Sequence, residues 1–152
     1  MIPPELVKTL LAIRDQRYAG DYTPNQAEVE LEDRYQQSEK LAVYGTLAPG
    51  ESNFHVVQSL GGEWSHGRVQ GVRFTLQVGH DVGYPGFRWI PDDPPLPIHL
   101  LTSAQLPGDW DRLDRFEGAD YCRILVPLEM DKDSYTVANL YECRHQPRSH
   151  HE

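Results

Sequence analysis

From Leu41 onward the chain breaks into short β-favouring runs separated by Gly and Pro clusters, and this rhythm restricts the fold more than any other feature. The runs are KLAVYGT, GRVQGVRFTL, GFRWI, PIHLLT, CRILVPLEM and TVANLYEC. In CRILVPLEM, Cys122, Ile124, Val126, Leu128 and Met130 alternate, which predicts a strand with one buried face. Pro127 has no N–H for a ladder, so this strand is expected at an edge or with a bulge. Two short helices should interrupt the strands. In SNFHVVQSLGG, Ser52 is the expected N-cap and Gly61 the C-cap, with Phe54, Val57 and Leu60 facing inward. In LPGDWDRLDRFEG, Leu106, Trp110 and Leu113 fall at helical spacing, Phe116 extends the stripe and Gly118 ends it. IPDDPPLP reads as a loop. This mixture indicates an α+β fold with a compact, mostly antiparallel sheet or barrel.

The first forty residues have a different pattern. Leu6, Leu10 and Ile13 share one helical face, and Gly20 stops that helix. A second, acidic helix should follow, with Thr23 as N-cap, Pro24 at the first helical position and Gln26 completing a capping box. The predicted organisation is a helical N-terminal extension over 1–40, a main domain over 41–144 and a flexible tail over 145–152. A chain of 152 residues fits one domain with one core.

The net charge of −9 comes with 14 Lys and Arg residues that are scattered rather than clustered, which argues against nucleic acid as a partner. No apolar run approaches the ~20 residues needed to span a bilayer, so no membrane partner is expected. MIPPELVKTLLAIRDQRYAG is broken by charge, Pro3 and Pro4 and is not read as a secretory signal. Cys122 and Cys143, without CxxC spacing, read as buried thiols in a reducing, cytoplasmic compartment, with a disulfide as the alternative. The sequence contains no GxSxG, GxxxxGK[ST], HExxH or dinucleotide fingerprint. Its histidines have no ligand-like spacing outside the tail, so no metal or cofactor is expected. His55 is a candidate proton shuttle, against a surface or helix-capping role. Oligomeric state is left open.

Two features carry chemistry. At Tyr44-Gly45-Thr46-Leu47 a strand runs into a turn, where N–H groups freed from the ladder can receive an anionic or carbonyl oxygen. Gly45 is expected there for its conformational freedom and for close ligand approach. The second is Glu117, in the last turn of a helix, where the macrodipole disfavours an anion by ~0.3–1 kcal/mol. Beside Phe116 and Tyr121, a partly buried carboxyl should have a raised pKa, as a general base near neutral pH requires. Arg123 is a candidate to orient it.

The segments VYGTL, GYPGF and LDRFEGADYCRILVPL, in this order, resemble the γ-glutamyl cyclotransferase-like family over Leu41 to about Glu142. The resemblance implies a small mixed, mostly antiparallel β-barrel flanked by short helices, with a cavity at the YGTL-type loop. It implies that the backbone of Tyr44, Gly45, Thr46 and Leu47 binds a small-molecule γ-glutamyl substrate, with Tyr84 and Tyr121 as cavity walls or, alternatively, core tyrosines. Glu117 matches the family's acid/base, and the implied products are 5-oxoproline and a free amine or amino acid. The rival expectation is a non-catalytic metabolite-binding or protein-interaction module of the same fold.

Overall fold

The computed structural model describes residues 2–131 and 133–145. Its elements in chain order are α1 (Pro4–Tyr18), α2 (Gln26–Tyr35), a 3-10 turn (Gln37–Glu39), β1 (Lys40–Val43) and α3 (His55–Gln58). They continue with β2 (Glu63–Thr75), β3 (Pro85–Trp89), β4 (Pro95–Thr102), a 3-10 turn (Leu106–Gly108), α4 (Trp110–Glu117), β5 (Tyr121–Glu129) and β6 (Tyr135–Cys143). Apart from Arg144 and His145, the segment after β6 lies outside the described residues.

The strands run in the order β3-β2-β4-β1-β6-β5, and a further β2–β5 pairing at Arg68 and Glu129 closes five of them into a barrel. Among the described residues β1 and β6 pair in parallel and the other pairings are antiparallel. The mixed, mostly antiparallel barrel expected from the sequence is therefore the architecture of the chain.

Strand β2 is long enough to serve two partners. Its first part, from Glu63 to Gln70, pairs with β4, and Gly71 to Thr75 pairs with β3. Gly71 lies at the change of partner: a Cβ there would meet the Arg88 carbonyl oxygen at 2.1 Å, so no larger residue fits.

Strand β1 separates two apolar clusters. Ala42 faces the barrel interior with Phe87, Ile98 and Leu140, whereas Leu41 and Val43 face a second cluster with Leu47, Val57 and Leu113. This alternation follows from the strand's two-residue period. Because α4 docks through Leu113 on the cluster that also holds Val43 and Leu47, the C-terminal end of α4 is fixed beside the turn that follows β1.

Several local expectations are corrected. Strand β5 does not have a single buried face: Ile124 through Leu128 are all buried, and α1 packs against the strand with Leu10 and Ile13 in the same cluster. The strand is not a free edge either, since Glu129 pairs with Arg68 of β2; among the described residues Pro127 itself has a ladder partner only in β6, at Val137. The N-cap of α2 is Asn25, whose side chain accepts from the Glu28 N–H at 2.9 Å. Thr23 lies outside the helix with its own N–H donated to Asp21.

Ser52 does not cap α3, which starts at His55 after a series of tight turns that use the local backbone groups. Phe116 does not continue the buried stripe of α4; it is 44% exposed. Pro95 to Pro97 belong to β4 rather than to a loop. Only His99 to Thr102 of β4 pair with β1, so these prolines have a ladder on one side alone and lose no bond there.

Candidate active site

The turn after β1, the end of α4, the β2–β3 loop and the first residues of β3 and β5 enclose a cavity of about 310 Å³. All seven residues singled out in the sequence, Tyr44, Gly45, Thr46, Leu47, Tyr84, Glu117 and Tyr121, line it. Its volume is that of a small-molecule site.

The turn presents main-chain donors. The N–H groups of Gly45, Thr46 and Leu47 have no protein acceptor among the described residues. Their carbonyls and side chains are engaged instead: the Ala48 N–H donates to the Gly45 carbonyl at 3.1 Å, and Asn53 donates from its backbone to the Thr46 carbonyl at 2.9 Å. The Asn53 side chain also donates to Thr46 Oγ1 at 3.0 Å. A turn held from behind leaves its amides facing a ligand oxygen. Gly45 is not in the left-handed region, which corrects the conformational reason expected for it. A Cβ there would meet the Pro85 ring at 3.5 Å, an ordinary contact, so the glycine keeps a gap between the turn and β3.

Across the cavity, Glu117 is the last residue of α4, and Gly118 follows with φ of 78°. Its carboxylate has no hydrogen-bond or ion-pair partner among the described residues. Burial raises its pKa to about 7, with the carboxylates of Asp81 and Asp114 adding to the shift. The principal cause is therefore desolvation, as expected from the apolar neighbours.

Tyrosines frame the two halves. The Tyr44 hydroxyl donates to the Tyr141 carbonyl at 2.7 Å, and the Tyr121 hydroxyl donates to the Pro85 carbonyl at 2.8 Å. Burial, with the nearby Tyr121 and Glu117, pushes the Tyr44 phenol well above its ordinary range, so it stays a neutral donor. Tyr84 is 49% exposed and stands at the mouth.

Two candidates lie elsewhere. His55 does not line this cavity. Arg123 binds Asp114 at 2.8 Å and Asn139 at 2.8 Å and stacks 4.4 Å from the Trp110 ring centre. It reaches the site only through Asp114, which also accepts from the Tyr141 hydroxyl at 2.6 Å. The sequence reading missed Asn53, Asp81 and Tyr141 as wall residues. Asp81 lies three residues before Tyr84 of GYPGF, and that neighbourhood was the one signal available for it.

Cys122 and Cys143 are both buried and unpaired. Among the described residues, no group of three or more His, Cys, Asp or Glu side chains is placed to hold a metal ion, and no helix is long and apolar enough to cross a membrane.

The fold is similar to that of a mouse AIG2-like protein, with a TM-score of 0.55 at 19% identity over 72% of this chain and 80% of the other. Two Arabidopsis thaliana proteins solved in solution are also similar. One has a TM-score of 0.53 at 18% identity, covering 72% of this chain and 71% of that one. The other has a TM-score of 0.52 at 21% identity, covering 72% of this chain and 66% of that one. No curated protein matches the sequence. The family described as gamma-glutamyl cyclotransferase, AIG2-like, matches residues 41–152, and the chain belongs to that family.

Proposed function

We propose that the protein cyclises a γ-glutamyl amine or peptide to 5-oxoproline and releases the amine. The observation that carries this reading is one cavity holding both an unpartnered carboxyl with a pKa of about 7 and three unpaired backbone N–H groups.

In this mechanism the γ-carbonyl oxygen of the substrate lies against the amides of Gly45, Thr46 and Leu47. Glu117 takes a proton from the substrate's α-amine, and the nitrogen attacks the γ-carbonyl carbon of the same molecule. The oxyanion that forms is stabilised by the backbone donors, which need no reorganisation at that moment. Glu117 then gives its proton to the leaving nitrogen as the amide C–N bond breaks. Nucleophile and electrophile belong to one molecule, so the site contributes mainly a folded substrate conformation. A carboxyl titrating near 7 accepts and returns a proton at neutral pH more readily than one at the ordinary value of 4.5.

Within this reading residues 41–144 form the catalytic unit, 1–40 are an addition to it and 145–152 a tail, and the two unpaired thiols fit a cytoplasmic location. The test is a panel of γ-glutamyl amines, γ-glutamyl amino acids and glutathione scored for 5-oxoproline. Release from at least one compound, lost in Glu117→Gln, is the expected result. Saturable binding without release from any compound would favour a non-catalytic binding role.

A further inference from the structure

We propose that Arg73 is a positioning residue for the turn: its guanidinium, bound to the Tyr44 carbonyl, aims and strengthens the Gly45 N–H that meets the γ-carbonyl oxygen of the substrate. This inference rests on the cyclotransferase reading above.

The unpaired N–H groups of the turn belong to successive peptide units, Tyr44–Gly45, Gly45–Thr46 and Thr46–Leu47, and in each unit the carbonyl at the other end is held. The Gly45 carbonyl accepts from the Ala48 N–H at 3.1 Å and the Thr46 carbonyl from the Asn53 N–H at 2.9 Å, both main-chain bonds from the segment that follows. The Tyr44 carbonyl lies past the end of β1, and no main-chain N–H among the described residues reaches it. Arg73 takes that place from β2, donating through Nη2 at 2.6 Å. Among the described residues every peptide is trans, so the carbonyl and the N–H of one unit point in opposite directions. A carbonyl fixed on Arg73 therefore turns the Gly45 N–H away from Arg73. Arg73 lines a separate cavity of about 320 Å³ and is not in the wall of the one that holds Glu117, while Tyr44 and Gly45 are common to both. The orientation that Arg73 imposes is the one the Glu117 cavity needs.

A guanidinium on a peptide carbonyl draws electron density toward the oxygen and leaves the N–H of the same unit a better donor. The bond is charge-assisted, and so stronger than the neutral bonds that hold the other two units. Its value rises as negative charge forms on the substrate oxygen, so it serves the transition state more than the bound ground state. Arg73 is exposed, and water weakens its field across the cavity; the peptide it touches is the route by which it acts. Glu51 lines the same cavity, yet among the described residues Arg73 makes no ion pair, so its charge stays with the carbonyl. The rest of Tyr44 is held independently. Its hydroxyl donates to the Tyr141 carbonyl at 2.7 Å, and its ring lies 5.5 Å from that of Phe87, the residue opposite Arg73 in β3. Loss of Arg73 would thus free the peptide without unseating the tyrosine.

Arg73→Met, which loses the donor, and Arg73→Lys, which keeps a charged one, test this with the compound of the panel above that gives the most 5-oxoproline. Removing one oxyanion donor outright costs about 10²–10³ in kcat, so a donor that is weakened and left free to turn should cost about tenfold. Arg73→Met should lower kcat by that factor with KM within about twofold of wild type, and Arg73→Lys should recover most of the loss. The Gly45 amide nitrogen resonance should move upfield in Arg73→Met and return in Arg73→Lys, with the melting temperature unchanged in both. An unchanged kcat in Arg73→Met, a loss that falls on KM alone, or an unmoved Gly45 resonance would overturn the positioning role while leaving the cyclotransferase reading intact. If wild type releases 5-oxoproline from no compound, the cyclotransferase reading fails and the role of Arg73 fails with it.

Discussion

The Asp120 carboxylate accepts a hydrogen bond from the Asp81 N–H at 2.8 Å, so a residue between α4 and β5 holds the loop that brings a second acid up to Glu117. Asp120 is only 5% exposed, and its other oxygen is bound by His145 Nε2 at 2.8 Å. Gly79 packs so closely that a Cβ would lie 2.4 Å from Asp120 Oδ1, and its φ of 91° favours glycine as well. The β2–β3 loop, which also carries Tyr84, is thereby fastened three residues from Glu117.

Replacing Asp120 by Ala should therefore loosen the cavity wall and destabilise the protein. An amide left without its acceptor costs about 1–3 kcal/mol, measurable as a lower urea midpoint. The His145 bond holds the Asp120 carboxyl below its ordinary value of 3.8. That contribution is fully present above 3.8 and is lost as the pH falls through the lowered folded value. The gap between wild type and Asp120→Ala should thus be full at neutral pH and shrink in strong acid. A gap that is constant with pH would show that the carboxylate is not the tether.

Glu117→Gln should abolish 5-oxoproline release by a factor of about 10²–10⁴, the usual contribution of a general acid/base. It should also change stability in a direction that a damaged fold would not. The folded carboxyl titrates at about 7 against an ordinary value of 4.5. Its protonated form is thus favoured by folding: the contribution is complete below about 4.5 and disappears as the pH rises through 7, where the buried charge opposes folding. Gln stays neutral throughout. Relative to wild type, the variant should gain about 1–3 kcal/mol between acid and alkaline conditions. Thermal melts at both pH values check this, and parallel curves would refute the raised pKa.

Asp81→Asn addresses the electrostatic part of the same shift. With wild type, kcat/KM should rise with pH through about 7 as Glu117 loses its proton. Removing the nearby Asp81 charge should move this limb to lower pH. Because burial is the larger cause, the limb should stay above the ordinary carboxyl value. An unmoved limb would mean that Asp81 and Glu117 do not interact.

The two poles of the candidate site, which line one cavity, each have a local signature in the sequence. A strand entering a glycine turn marks Tyr44 to Leu47, and an acid followed by a glycine at a helix end marks Glu117. Their convergence depends on Leu113 and Val43 meeting in one cluster, and no spacing in the sequence encodes that. Asp81 and Asn53 lie in irregular segments with no periodicity to reveal what they face. The burial of β5 on both sides was missed for a related reason. Alternation in Cys122 to Met130 reports one face, and cannot report a helix more than a hundred residues earlier that packs on the strand. Thr23 lost the cap of α2 to Asn25 because both residue types are good caps and only backbone geometry decides between them.

Glu142 gives that distant helix a further role in the barrel. Its side chain is fully buried in β6 and accepts from the Tyr18 hydroxyl at 2.6 Å, the Trp89 N–H at 2.7 Å and Arg14 Nη1 at 3.2 Å. Tyr18 and Arg14 belong to α1, whose Leu10 and Ile13 are buried in the main core. Deleting the first twenty residues would leave this carboxylate with only the Trp89 N–H and Arg88, at 4.0 Å, and the two lost charge-assisted or hydroxyl bonds cost about 1–3 kcal/mol each. It would also expose the surface covered by Leu10 and Ile13, each contributing about 1.5–3 kcal/mol. The sum approaches the whole stability of a small domain, about 5–15 kcal/mol. The truncated chain should lose cooperative unfolding and aggregate, while Glu142→Gln should fold with a lower melting temperature. A truncated protein that melts cooperatively near the wild-type temperature would show that the barrel stands without α1.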